Sequence, residues 1–372
     1  MGAAVKRIVI SGYYGFANSG DEAVLQSILL ALREEGNRLG LRIEPVVLSA
    51  DPQATEAMYG VRSVHRLKLT HIVKALRESD GLISGGGSLL QDVTGLGSIP
   101  YYTGIMTIAR LFRKPVFIYA QGIGPVNRPF FYPWIRRIFS GSRYVSVRDR
   151  ESASLLETMG VPRGNIRVVP DPVMGLPGGS FAGAPSSVRE HPVVGVSVRF
   201  WNEDRSELEA LAAALNDIRA QRKAEIRFLP FHLPHDTEAS RYVMAKMNVS
   251  PEDPFVRVEE NAAHPQEMLA LVASCDLLIG MRLHSLIYAA SQYVPMVGIS
   301  YDPKIDRFLH RLDMSAAAST GSFSREAVVF AALRLLDNPE AWREEKRTLI
   351  EALKREAREP ARQIALFLAK EG

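Results

Sequence analysis

Cysteine is almost absent. Cys275 is the only one in 372 residues, so no disulfide framework is possible, which fits a reducing compartment. It lies in an apolar stretch beside Asp276 and reads as a small core residue rather than a nucleophile. Long apolar runs are absent too. No stretch reaches the roughly 18 residues a membrane-crossing helix needs. The chain also enters Lys6-Arg-Ile-Val-Ile-Ser11 without the apolar segment of a signal peptide. Blocks of like charge are missing, and the formal net charge is only +4. That argues against a nucleic-acid partner and leaves a mildly positive surface, suited to anionic substrates or to loose attachment to an anionic membrane face. No glycine fingerprint of dinucleotide sites and no Walker pattern occurs. His232, His235 and Asp236 superficially resemble metal ligands, but their spacing matches no familiar site. Neither a metal nor a cofactor is expected.

What is present is a globular composition, 47% hydrophobic and 23% charged, in a chain long enough for two cores. Short apolar runs at 8–10, 81–83, 116–119, 144–147 and 166–169 read as buried parallel strands. Helical patterns at 21–33 and 151–159 lie between them. A Gly/Pro/Ser-rich stretch at 175–187 reads as a linker. The alternation then restarts, with strands at 193–198, 226–229, 255–258, 276–280 and 296–299, and helices at 205–222, 265–273 and 285–293. From Ser324 onward the pattern is helical, and Pro360 should kink or break it. The fold class is α/β: two Rossmann-like, doubly wound domains at 1–175 and 193–338, joined by a linker at 176–192. Helices at 339–372 are expected to pack back on the first domain. The domains should face each other across a cleft, with ligands bound at the carboxyl edges of the sheets.

The residues that carry chemistry fall at those edges. Arg282-Leu283-His284 joins a strand to a helix, where free backbone N–H groups and the positive dipole end suit an anion. An arginine and a histidine there add a fixed cation and a proton carrier. Arg199 and Lys304 stand at neighbouring strand ends, and Arg148 at one in the first domain. Together they form a cluster of cations with few obvious partners, as a substrate carrying both phosphate and carboxylate would require. In the first domain, the Ser11-to-Leu25 segment offers Asn18 and Asp21 as hydroxyl-binding groups or a general base. Ser19 to Glu22 fits a capping box, which gives Glu22 a mainly structural role. The Ser84-Gly-Gly-Gly-Ser-Leu-Leu-Gln-Asp92 segment lets backbone approach a ligand at Gly86 and Gly87, with Asp92 as a further acceptor-side group. The tail 361–370 is basic and apolar: it either touches a membrane or packs as an amphipathic helix on the first domain.

Seven ordered segments, at 12–25, 85–94, 121–125, 146–149, 171–173, 282–290 and 301–304, resemble the polysaccharide pyruvyl transferase family, and in particular its CsaB-type cell-wall branch. The resemblance implies a fold similar to the GT-B glycosyltransferases. It implies transfer of pyruvate from phosphoenolpyruvate onto two hydroxyls of a sugar as a cyclic ketal. In that branch the acceptor is an N-acetylmannosamine residue of a lipid-linked precursor, and the pyruvylated polymer anchors S-layer homology domains. By motif match Arg282, Leu283, His284 and Lys304 would contact phosphoenolpyruvate, and Arg66 falls where the branch carries a basic residue. His284 would be the acid and Asp21 the base, in the cytoplasm or at the inner face of the membrane. Two other readings compete. One is a sugar-nucleotide glycosyltransferase using Glu260 or Glu267; the other is a noncatalytic binder of an anionic metabolite.

Overall fold

The computed structural model describes residues 4–93, 95–178, 190–250, 253–260, 262 and 264–370. Most of the expected linker, 179–189, lies outside them. The chain divides into two compact units. The first comprises 1–16, 21–176 and 353–372, the second 17–20 and 177–352.

In chain order the first unit runs β1 (Ala4–Ser11), α1 (Ser19–Arg38), β2 (Leu41–Ser49), α2 (Pro52–Tyr59), β3 (Arg62–His65), α3 (Leu69–Arg77), β4 (Gly81–Ser84), β5 (Gly87–Leu90), α4 (Ser98–Leu111), β6 (Val116–Ile123), α5 (Tyr132–Ser140), β7 (Tyr144–Val147), α6 (Arg150–Thr158) and β8 (Ile166–Val168). Its sheet is wholly parallel, in the order β3-β2-β1-β4-β6-β7-β8, with β5 added beside β6. Helices cover both faces of such a sheet, so its central strands are apolar on both sides. Ile8, Val9 and Ile10 are fully buried, as are Leu82, Ile83 and Ile118. Ile10 pairs in register with Val47 on one side and Ile83 on the other. β2, β3 and β5 are additions to the strands expected from sequence. β2 carries Pro45, and its first half is only partly covered, so it lacks the continuous apolar run that marks β1.

The second unit contains β9 (Val193–Ser197), α7 (Ser206–Arg222), β10 (Glu225–Phe228), α8 (His235–Lys246), β11 (Val256–Val258), α9 (Pro265–Ala273), β12 (Leu277–Gly280), α10 (Leu283–Ser291), β13 (Met296–Ser300), α11 (Pro303–His310), β14 (Ala318–Ser319), α12 (Arg325–Asp337) and most of α13 (Pro339–Glu356). Its parallel sheet has the order β11-β10-β9-β12-β13-β14. Both sheets thus reverse direction beside their first strand, at β1/β4 and β9/β12, where a ligand crevice opens in doubly wound folds. Cys275 is buried, its thiol directed to the Leu271 carbonyl at 3.3 Å, as its apolar context implied.

Of the C-terminal helices expected on the first domain, residues 339–352 count with the second unit and only those from Leu353 onward with the first. The helix breaks just before Pro360, as expected: α13 ends at Glu356, and Pro360 stands in the first turn of α14 (Glu359–Lys370), where a missing N–H disrupts no bond. Of the two readings of the tail, the structure has the amphipathic helix packed on the first unit. Ala361, Ile364, Ala365 and Leu368 are buried, and Phe367 packs edge-on against Phe117 with ring centroids 5.4 Å apart. Burial of side chains such as Ile364 and Leu368 contributes about 1.5–3 kcal/mol each. Finally, Ser19 and Glu22 form no capping box. Asn18 caps α1, its Oδ1 accepting the Gly20 N–H at 3.1 Å. The Glu22 carboxylate instead accepts the Gly15 N–H at 2.7 Å and the Tyr59 hydroxyl at 2.8 Å. Burial raises its pKa, and those hydrogen bonds oppose the rise. Glu22→Ala strands both donors, so denaturant titration should show a loss of about 1–3 kcal/mol. Glu22→Gln keeps an acceptor and should lose less. Wild-type stability in Glu22→Ala would remove the role.

Candidate functional site

In the second unit the chemistry-bearing residues stand at the carboxyl ends of adjacent strands. Arg199 follows β9, Asp236 lies in the first turn of α8 after β10, Arg282 is the N-cap of α10 after β12, and Lys304 lies in the first turn of α11 after β13. The Arg282 guanidinium grips Asp236 with two hydrogen bonds, Nε to Oδ2 at 2.9 Å and Nη2 to Oδ1. The Asp236 side chain is fully buried and also accepts the N–H groups of Phe231 at 3.2 Å and His232 at 3.0 Å. Every oxygen of the carboxylate is therefore engaged, the condition under which a buried charge is tolerated. The fork leaves the Nη1 edge of Arg282 with no protein acceptor among the described residues. His232 lies between cations. Burial lowers its pKa first, and the charges of Arg282 and Arg199 lower it further.

His284 occupies the first turn of α10, next to a segment that the sequence places far away. Residues 17–20 count with the second unit. Ser19 donates its N–H to the Phe231 carbonyl at 2.8 Å, and the Tyr288 hydroxyl donates to the Ser19 carbonyl at 3.2 Å. Asn18 pairs with His232 in an isolated antiparallel bridge. Gly20 follows, and its backbone faces the His284 ring. A Cβ at position 20 would lie 2.0 Å from His284 Nδ1. Only glycine lets the turn and the imidazole occupy this arrangement.

Arg199 and Lys304 share Tyr301. Arg199 Nη1 donates to the Tyr301 hydroxyl at 3.1 Å and its guanidinium lies 4.8 Å from the Tyr301 ring and 5.2 Å from the half-exposed Trp201 ring. Lys304 Nζ sits 5.5 Å from the Tyr301 ring and 3.1 Å from Asp302, the N-cap of α11. Leu283 is buried and contributes backbone at the α10 N-terminus.

The first unit's edge is arranged differently. Asp21 stands in the first turn of α1, its Oδ1 2.9 Å from where a Cβ at Gly87 would be, and Gly87 itself has φ +90°. Burial, and next the Asp21 charge, hold the Tyr14 phenol well above its usual pKa. Arg66 is enclosed by rings that sequence neighbours do not supply: Tyr13 at 6.0 Å, Phe16 at 5.2 Å, Tyr101 at 4.4 Å and Tyr102 at 5.8 Å. Gly86 is packed closely on the protein itself: a Cβ there would lie 2.9 Å from Val24 and 3.4 Å from Pro172.

Two candidates change status. Asp92 is buried and holds the N–H groups of Asn127 and Arg128, each at 2.9 Å, so its carboxylate is committed to the loop after β6. The expected cluster of unpartnered cations is also corrected. Arg148 donates to Ser88 at 2.7 Å and lies 3.7 Å from both Asp149 and Asp171; Arg282 has Asp236 and Lys304 has Asp302. Sequence alone does not pair Asp236 with Arg282, or Gly20 with His284. The first carried a signal, an aspartate at a strand end, but was read in the company of two histidines. Among the described residues no group of three or more His, Cys, Asp or Glu is placed to hold a metal.

A family model for polysaccharide pyruvyl transferases matches residues 18–303, from the Asn18 cap to the residue before Lys304. The chain belongs to the polysaccharide pyruvyl transferase family. It is an enzyme that transfers pyruvate onto polysaccharide. The amylovoran biosynthesis protein AmsJ of Erwinia amylovora is 22% identical over 293 residues, covering 73% of this chain and 69% of AmsJ. Among solved structures, the UDP-GlcNAc 2-epimerase of Neisseria meningitidis bound to UDP-GlcNAc superposes with a TM-score of 0.64 at 11% identity, covering 98% of this chain and 100% of that one. HepE of Anabaena, in complex with UDP and glucose, gives 0.61 at 12% identity, with 98% and 100% covered. At such identities the likeness is one of fold, and the fold is GT-B-like.

Gly20→Ala places a better helix former in α1, so the helix itself should tolerate it. The imidazole must move, however. Pyruvyl transfer should fall at least about tenfold, a barrier increase of ~1.4 kcal/mol, with the melting temperature little changed; wild-type turnover would contradict the packing argument. A pH effect follows from two histidines. His264 caps α9, Nδ1 accepting the Gln266 N–H at 3.1 Å, and burial lowers its pKa below 6.5, as it does for His232. A depressed folded pKa gives stability that is full above pH 6.5 and lost as pH falls through the folded value. Thermal melts should decline in that acid range, and less steeply in His264→Asn, which caps at any pH.

Proposed function

We propose that the donor is phosphoenolpyruvate, bound by the second unit, and that the acceptor is an N-acetylmannosamine residue of a lipid-linked cell-wall polymer precursor, as in the CsaB-type branch. The observation that carries this is the Arg282–Asp236 clamp beside His284. It is a guanidinium fixed in direction, with an edge turned away from its carboxylate, next to a proton carrier at a helix N-terminus. Arg282, Lys304 and Arg199 hold the phosphate and carboxylate, helped by the backbone N–H groups at Leu283. Arg66 and Arg148 belong to the other unit and their charges are already engaged, so the donor site is assigned to the second unit alone.

In this reading protonated His284 gives its proton to C3 of phosphoenolpyruvate, and C2 gains oxocarbenium character. A sugar hydroxyl adds at C2 and gives its proton to a general base. The C2–O bond to phosphorus-bound oxygen then breaks. The second hydroxyl closes the ketal, and its proton leaves with inorganic phosphate. The arginines stabilise the departing charge.

The test is purified protein with phosphoenolpyruvate and a lipid-linked or nitrophenyl-tagged N-acetylmannosamine acceptor, followed by mass analysis and phosphate release. A ketal adduct with one phosphate per turnover is expected. His284→Ala should reduce the rate by at least about a hundredfold, the lower range for losing a general acid, while retaining the fold. Near-normal turnover would remove the acid role, and release of a nucleoside diphosphate from a sugar nucleotide would favour glycosyl transfer instead.

A further inference from the structure

Residues 93–148 contain no aspartate or glutamate but eight arginines and lysines. Part of this stretch is organised as a surface of the first unit. The helix α5 buries Ile135, Ile138 and Phe139 and turns Trp134, Arg136 and Arg137 outward. Phe130 precedes Trp134 by one helical turn. Both outer rings rest on the buried Phe131, with centroids 4.1 Å from Phe130 and 6.2 Å from Trp134. Phe130 is 60% exposed and Trp134 53%. The Asp92 bonds to Asn127 and Arg128 tie this segment to the start of the loop carrying Val93, itself 62% exposed.

Single exposed apolar residues are ordinary. Here a tryptophan and a phenylalanine pack on one buried ring, with a third apolar residue beginning the adjoining loop and exposed arginines on the same helix. Tryptophan and arginine favour the boundary between lipid headgroups and acyl chains, and guanidinium matches phosphate geometry. We propose that this surface seats the enzyme reversibly on an anionic lipid bilayer. Phe130 and Trp134 enter the headgroup boundary, and Arg136 and Arg137 contact lipid phosphates. The proposal does not rest on the identity of the donor or acceptor.

The test uses the full chain and flotation with phosphatidylcholine vesicles, with and without phosphatidylglycerol. Binding should require phosphatidylglycerol and weaken with salt. Phe130→Ser with Trp134→Ser should lower the partition coefficient by about tenfold or more, and Arg136→Gln with Arg137→Gln should do the same. All four side chains are exposed, so melting temperatures should stay near wild type. Quenching of tryptophan emission by brominated lipids should fall in Trp134→Phe. Equal vesicle binding by both double variants would overturn the assignment. So would absence of vesicle binding, whether or not the same residues then retain the chain on heparin or drive its self-association.

Discussion

The second unit's site depends on one ion pair, Arg282 with Asp236. A carboxylate with no solvent exposure is stable only when each oxygen is engaged, and here a bidentate guanidinium and two backbone N–H groups do so. Removing either partner would leave an uncompensated buried charge, a loss of about 3–5 kcal/mol in comparable pairs. The same contacts set the geometry around it. Asp236 fixes the path of Phe231 and His232, and these receive Ser19 and Asn18. Ser19 and Tyr288 then bring Gly20 against His284. The arginine is thus held in direction by its carboxylate partner, and a side chain fixed in this way has little entropy left to lose.

The two units share a strand order and differ in what they place at its carboxyl edge. The second unit's strand ends carry Arg199, Asp236, Arg282 and Lys304. The first unit's central strands β1 and β4 end in Ser11 and Ser84, buried and uncharged, and its cations Arg66 and Arg148 follow β3 and β7 instead. Parallel sheets explain why both edges are available: strand bodies are committed to core, so variation in chemistry is confined to the turns that follow them. A family model that begins at Asn18 and ends at Pro303 spans both sets of turns.

The sequence made the sheets legible where strands were continuously apolar, as at Ile8–Ile10 or Leu277–Ile279, since both faces of such strands are covered. β2 escaped because Arg42, Glu44 and Pro45 interrupt its first half, which the sheet leaves partly uncovered. The placement of Arg282-Leu283-His284 between a strand end and a helix start was legible because the apolar run and the helical pattern on either side are consecutive. The partner of Arg282 was not. Asp236 lies 46 positions earlier, at no period that a helix or strand would impose. Arg66 shows the same limit: its rings come from positions 13, 16, 101 and 102, and only folding assembles them. Local chemistry can be read along a chain, but the pairing of charges between strand ends depends on strand order.

Average charge hides a comparable arrangement. The chain's net charge of +4 describes no part of it. The stretch 93–148 carries eight cations and no acid, while the remaining 37 cations and 41 acids leave the rest at −4. Runs of five or six like charges do not occur, because Arg136 and Arg137 share α5 with the apolar residues that anchor it. An amphipathic helix must alternate charge with core residues at its own period. A basic face built on such a helix is therefore invisible to a search for contiguous charge, and becomes visible only when burial separates Ile135, Ile138 and Phe139 from the arginines between them. Because like charges on one face repel, their concentration there weakens the fold slightly. That cost is offset when an anionic surface lies against the same face.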